Sequence, residues 1–312
     1  MIDARKTLFS SIWIGCLLLV PGASAQSGRI DPLTGARVDS PVETRADADE
    51  ADATPPRADL GQANELVREQ KYAEAEALLA DLQQEFADDP ALLLMRGELL
   101  LALGRADEAL KPLERAAEID PARPRAHFQL ATALSAAGDA EGALAAFGRE
   151  IEHNDDAQVA ALARLNRAML FQQQRNWIDA AQELESLLEA QPERSEAYGD
   201  LTTLYLQADR VDDAAATLER GKEAGFLSSQ HYYSLGARLY KDGRYEGAVR
   251  ALEAALEIEP RLARAERSLG AALQKLERPQ EAIEHLERYL ELSPGAADAE
   301  NIAKQIETAK QG

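Results

Sequence analysis

The chain of 312 residues carries 34 lysines and arginines against 55 aspartates and glutamates, a formal net charge of -21. A surplus of that size repels phosphate backbones and anionic lipid headgroups, which argues against nucleic acid and membrane surfaces as partners and keeps an extended surface soluble. Hydrophobic residues make up 46% of the chain and aromatic residues 5%, a balance that suits an array of helices rich in alanine and leucine better than one large core.

At the N-terminus, Arg5 and Lys6 precede an apolar run over 8–20, a Pro21-Gly22 break and the small residues Ala23-Ser24-Ala25. That order is the order of a secretory signal cleaved after Ala25. The run is short of the roughly 20 apolar residues that cross a bilayer, and no later stretch is continuously apolar, so no direct membrane insertion is expected. Gly15-Cys16 ends like a lipobox, but bulky Trp13 stands where leucine is usual, and cleavage there would leave Leu17-Leu18-Leu19-Val20 on the mature end. Simple secretion therefore outweighs a lipoprotein anchored at Cys16, and the expected compartment is periplasmic or extracellular. Residues 1–25 hold Asp3 against Arg5 and Lys6, so the exported chain carries -22 and loses the single cysteine. Disulfides, thiolate catalysis and cysteine metal sites are thereby excluded.

Residues 26–56 are polar and interrupted by Pro32, Pro41, Pro55 and Pro56, and the acidic stretch 45–52 has no apolar stripe. A disordered acidic linker is expected.

From there a pattern recurs. Ala75, Ala109, Ala143, Ala180, Ala214, Ala248 and Ala282 follow one another every 34 residues, with a single 37-residue step. Gly104-Arg105-Ala106-Asp107-Glu108-Ala109 leads to Leu113, Ala116 and Pro121, just as Gly243-Arg244-Tyr245-Glu246-Gly247-Ala248 leads to Leu252, Ala255 and Pro260. This phase divides 57–296 into seven units, beginning near Pro56, Pro90, Pro124, Ala161, Ser195, Ser229 and Ala263, each reading as two helices joined by a tight turn. The repeated alanine lets the second helix approach the first, and Leu113, Phe147, Leu184 and Leu252 fill the space between them. Pro121, Pro192, Pro260 and Pro294 end second helices. Gly104, Gly138 and Gly243 stand where the turn asks for positive φ, whereas Gln70, Arg175, Asp209 and Glu277 replace glycine in the other units. Three extra residues precede the fourth unit, Gly221 and Gly225 are expected to loosen the fifth unit's second helix, and Pro112 to bend the second unit's. Residues 297–312 read as a capping helix and tail, with Asp298 as the cap and Ala299, Ile302, Ala303, Ile306 and Ala309 on one face.

The repeat resembles the tetratricopeptide family, in an exported bacterial form. The resemblance implies an all-α, right-handed superhelical solenoid of about seven helix-turn-helix repeats closed by a C-terminal capping helix. It also implies that first helices line a concave groove. Counting the places that face such a groove gives Arg125, Phe128 and Gln129 in the third repeat, Asn166 and Met169 in the fourth, Thr203 in the fifth, Tyr233 and Tyr240 in the sixth, and Arg267 in the seventh. These are the candidate peptide-binding residues. Gln172, Glu196 and Asp200 share that lining, which otherwise holds amides, hydroxyls, aromatics and arginines, a mixture that suits an extended peptide. Trp177, Tyr198, Tyr205, Tyr232 and Tyr245 match the family's packing places and are assigned to the core. The carboxylate-clamp set of lysines, asparagines and arginine is missing, since only Asn166 and scattered arginines resemble it.

The histidines His127, His153, His231 and His285 are expected on different repeats and in no metal-binding spacing, and no phosphate loop, nucleophile elbow or His-Glu-x-x-His pair is present. No catalytic residue, metal or cofactor is expected. The sequence thus points to a non-enzymatic interaction scaffold that binds a partner protein or extended peptide in the groove, serving cell-envelope assembly, secretion or polysaccharide export. The alternative is an oligomerisation or spacer module acting through the convex face or the array ends.

Overall fold

The computed structural model of the protein describes residues 57–311, so the expected signal and linker lie outside the described residues. Those described form fifteen helices and no strand. Fourteen pair into seven hairpins: α1 (Arg57–Arg68) with α2 (Tyr72–Glu85), α3 (Pro90–Ala102) with α4 (Ala106–Ile119), α5 (Ala126–Ala137) with α6 (Ala140–His153), α7 (Ala157–Gln173) with α8 (Trp177–Ala190), α9 (Ser195–Gln207) with α10 (Val211–Glu223), α11 (Ser229–Lys241) with α12 (Tyr245–Ile258), and α13 (Ala263–Lys275) with α14 (Pro279–Leu292). The last, α15 (Ala299–Gln311), closes the array. The protein is an all-α solenoid in which each hairpin packs on the next.

All seven hairpin turns use one backbone device. One or two residues past each first helix the chain adopts a left-handed conformation, at Gly104, Gly138 and Gly243 but equally at Gln70, Arg175, Asp209 and Glu277, with φ of 57 to 62° in those four. The next N–H then donates to a carbonyl five residues back: Lys71 to Leu66, Arg105 to Leu100, Asp139 to Leu134, Asn176 to Phe171, Arg210 to Tyr205, Arg244 to Leu239 and Arg278 to Leu273, at 2.8–3.0 Å. This is the Schellman closure, which satisfies carbonyls that a helix end leaves open. The units lacking glycine therefore keep the turn.

The repeated alanines are fully buried or nearly so, and the large residue four places on, from Leu79 and Leu113 to Leu252 and Leu286, lies in the hairpin interior. What faces it from the first helix is small. A Cβ on Gly236 would stand 2.7 Å from Leu252 Cγ and 3.3 Å from the carbonyl oxygen of Ala248, and one on Gly270 would stand 2.6 Å from Leu286 Cγ. Helix-to-helix contact is thus a matched pair of absent and bulky side chains. Gly221, expected to loosen α10, instead permits a close approach, because a Cβ there would lie 2.9 Å from Tyr198 Cβ. Gly225, at φ 86°, ends α10 with the same closure as the turns, through Phe226 N–H to the Gly221 carbonyl at 2.7 Å. Helix α4 runs on through Pro112.

The 37-residue step lengthens a helix. With 17 residues, α7 exceeds every other helix and begins at Ala157, upstream of the expected Ala161. Before it, α5 starts from Arg125 at φ 71°, and the buried Glu150 of α6 secures that start. Its carboxylate accepts from Arg125 N–H at 2.7 Å, Phe128 N–H at 2.8 Å and Asn154 Nδ2 at 2.7 Å. At the other end, α15 buries Ile302 and Ile306 with Leu286 and Tyr289. The carboxylate of Asp298 reaches back to Tyr289 Oη at 2.5 Å and to Arg267 Nε, and these donors hold its carboxyl below the usual range.

Candidate functional site

First helices of neighbouring hairpins touch directly, α3 with α5, α9 with α11 and α11 with α13, and no pair of second helices makes comparable contact. The first helices accordingly lie on the inner side of each curved stretch. The two classes also differ in charge. First helices hold ten arginines and lysines against six acids, second helices seven against twenty-six, a net of +4 against -19. The acidic surplus of the array is carried by one face.

Five of the nine candidate residues, Phe128, Asn166, Met169, Tyr233 and Tyr240, are half-buried on first helices. Phe128 meets Phe147 edge to face at 5.2 Å, Tyr240 meets Tyr245 at 5.5 Å, and the Arg264 guanidinium lies 4.7 Å from the Tyr233 ring centre. Asn166 Nδ2 donates to the Leu162 carbonyl at 2.8 Å, and Met169 lies one turn along the same helix. Thr203 is exposed, its hydroxyl donating to the Gly199 carbonyl at 3.0 Å. The remaining three are engaged with acids: Gln129 is buried and donates to Glu98 at 2.9 Å, Arg125 Nη2 stands 3.7 Å from the same carboxylate, and Arg267 is bound to Asp298. The structure therefore gathers Arg125, Phe128 and Gln129 at one hairpin and spaces the others along the array.

Four first-helix arginines, Arg164, Arg167, Arg238 and Arg267, form ion pairs inside the protein. Arg167 lies 3.1 Å and Arg164 3.9 Å from Glu183, and Arg238 bridges Asp209 and Asp242. Burial lifts the Glu183 carboxyl above its ordinary range, with the two arginines opposing that shift. No contact comparable to the other first-helix pairs joins α7 to α9, and at the C-terminal end of α7 a notch of about 500 Å³ opens between Gln172, Arg175, Trp177, Asp200, Thr203, Leu204 and Gln207. Trp177, assigned to the core from sequence, does pack against it, but it also lines this notch. Arg175 entered the sequence reading as a turn residue alone.

The histidines need one correction. His127 and His153 share a hairpin, with ring centres 5.9 Å apart, because the turn folds α6 back along α5. His127 is buried with neither ring nitrogen hydrogen-bonded, and burial lowers its pKa. No group of three metal-ligating side chains occurs among the described residues.

Sequence profiles described as Tetratricopeptide repeat match residues 60–124, 100–165, 171–239 and 235–307. The chain belongs to the tetratricopeptide repeat family. Members of this family are typically interaction scaffolds without catalytic activity, and they bind proteins or peptides. No curated protein matches the sequence. Among solved structures, a complex titled Naa15/Naa10 bound to HypK-THB is similar at 17% identity and a TM-score of 0.62, covering 81% of this chain and 39% of that one. The C-terminal part of a tetratricopeptide repeat protein from Cytophaga hutchinsonii is similar at 15% identity and a TM-score of 0.58, covering 78% and 98%. YrrB, titled a protein with an unusual peptide-binding site, shares 21% identity over 64% of this chain and 98% of that one, with a TM-score of 0.44. At these identities the likeness is one of fold.

Proposed function

We propose that this tetratricopeptide repeat protein is an exported scaffold without catalytic activity that holds an extended segment of a partner protein along its first-helix face, in cell-envelope assembly, secretion or polysaccharide export. The observation that carries the reading is the division of charge, +4 on the first helices against -19 on the second. A face relieved of repulsion, with half-buried aromatics at Phe128, Tyr233 and Tyr240 and amides and hydroxyls between them, offers apolar contact and backbone hydrogen bonds without an anionic barrier. Export rests on the signal read from residues 1–25.

A photoreactive residue placed at Thr203 or Tyr233, and for comparison at Glu253 or Glu257 on α12, tests the face in living cells. Crosslinks to a discrete protein from the first two positions and none from the second two are expected. The reverse pattern replaces the groove with docking on the second-helix face. N-terminal sequencing of the mature protein tests export, with a start at Gln26 expected.

A further inference from the structure

The first-helix face is uneven in how its charges are met. Five of its arginines have acids or rings of their own: Arg164 and Arg167 with Glu183, Arg238 with Asp209, Arg267 with Asp298 and Arg264 with the Tyr233 ring. Its carboxylate Asp200 has neither. Among the described residues it makes no hydrogen bond and no ion pair, and the charged groups it senses are His231 from α11 and Glu196 one turn back on α9. Its side chain is open to solvent at the rim of α9, and the packed helices beside it displace enough water from the charged form to raise its carboxyl above the ordinary range. His231 gives little compensation. Burial lowers its own pKa, and its Nδ1 is tied to Ser228 Oγ at 2.7 Å.

This unmatched carboxylate lines the notch between α7 and α9, beside the half-buried indole of Trp177 and the side chain of Leu204. Arg175 lines the same notch but is not among the charges that shift Asp200. Aromatic and aliphatic walls with one unpaired anion are the chemistry that receives a long cationic side chain, whose methylenes cover the apolar wall while its head reaches the charge. We propose that this notch is a subsite for an arginine or lysine of the partner segment, its stem against Trp177 and Leu204 and its head group on Asp200. The inference rests on the scaffold reading above and gives it a register: one basic residue of the bound segment is anchored where the fourth hairpin meets the fifth.

The test is selection of a displayed library of random nonapeptides on the full-length protein, followed by affinity measurements on the synthetic winners. Enrichment of arginine or lysine at one position is expected, with about a two- to fivefold loss when that residue becomes glutamine, the size of one solvent-screened charge contact. Asp200→Asn should lose the same factor, with no further loss when both changes are combined. Asp200→Lys should prefer glutamate at that position. Circular dichroism and the thermal midpoint of Asp200→Asn should match the parent, since Asp200 makes no internal bond. Winners with acidic or no charge preference, or losses that simply add in the combined pair, overturn the subsite and leave the scaffold intact. A library that yields no binder rejects the scaffold reading and the subsite together.

Discussion

Four hairpin turns hold a side chain in a backbone conformation that L-residues adopt at a cost of about 1–2 kcal/mol, partly offset because glycine gives up more freedom on folding. Glu277→Gly should therefore raise stability by about 0.5–1 kcal/mol, and Gly243→Ala should lower it by about the same, both read as shifts in urea midpoint. Equal midpoints would remove the left-handed turn as an energetic feature. His127 sets a pH dependence of definite sign. Its pKa is lowered in the fold by burial, with Arg149 and His153 acting in the same direction and Glu150 opposing them. The unfolded chain thus takes up its proton first, so stability is complete above the ordinary histidine value of about 6.5 and falls as the pH drops below it. His127→Leu should flatten the fall in melting temperature between about pH 7 and pH 5. His231, shifted in the same direction, leaves part of the slope in place.

At the scale of helices, the interlock of Gly236 with Leu252 decides stability more than local propensity does. Alanine gains about 1 kcal/mol in a helix interior, but its Cβ would stand 2.7 Å from Leu252 Cγ and 3.3 Å from a backbone oxygen, an overpacking that costs about 1–3 kcal/mol. Gly236→Ala should lower the thermal midpoint, and a rise would mean that α11 and α12 part easily. Glu150→Ala should cost about 1–3 kcal/mol, because it leaves the N–H groups of Arg125 and Phe128 without their acceptor. Denaturant melts of that variant check it. The hairpins themselves were legible because alanine, leucine and proline at fixed phase are local signals that packing obeys directly. The turns at Gln70, Arg175, Asp209 and Glu277 were less so, since their positive φ belongs to the backbone closure and leaves no mark on residue type. Gly97, Gly236 and Gly270 stand at one phase of the repeat, a signal present in the sequence whose meaning appears only with Leu113, Leu252 and Leu286 opposite. The candidate face could be counted out from the repeat. The notch could not, because it depends on how the end of α7 and its turn stand off from α9, a spacing that residue type does not record.

For the whole molecule, contact is confined to neighbours: each hairpin leans on the one before and the one after, and apolar residues gather into successive clusters along the chain. Stability is then local and additive from unit to unit. Ile302→Ala with Ile306→Ala should strip hydrogen-exchange protection from α13 to α15 first while α3 to α6 keep theirs, each change costing about 2–5 kcal/mol of the cap's packing. Uniform loss along the chain would contradict neighbour-only coupling. The same confinement has a mechanical meaning. Pulled from its two ends, an array of this kind yields one hairpin at a time, and each release of a 34-residue repeat frees about 110–120 Å of extended chain. A protein so built lengthens in equal steps under load, so a partner held against one hairpin stays gripped while a distant one gives way.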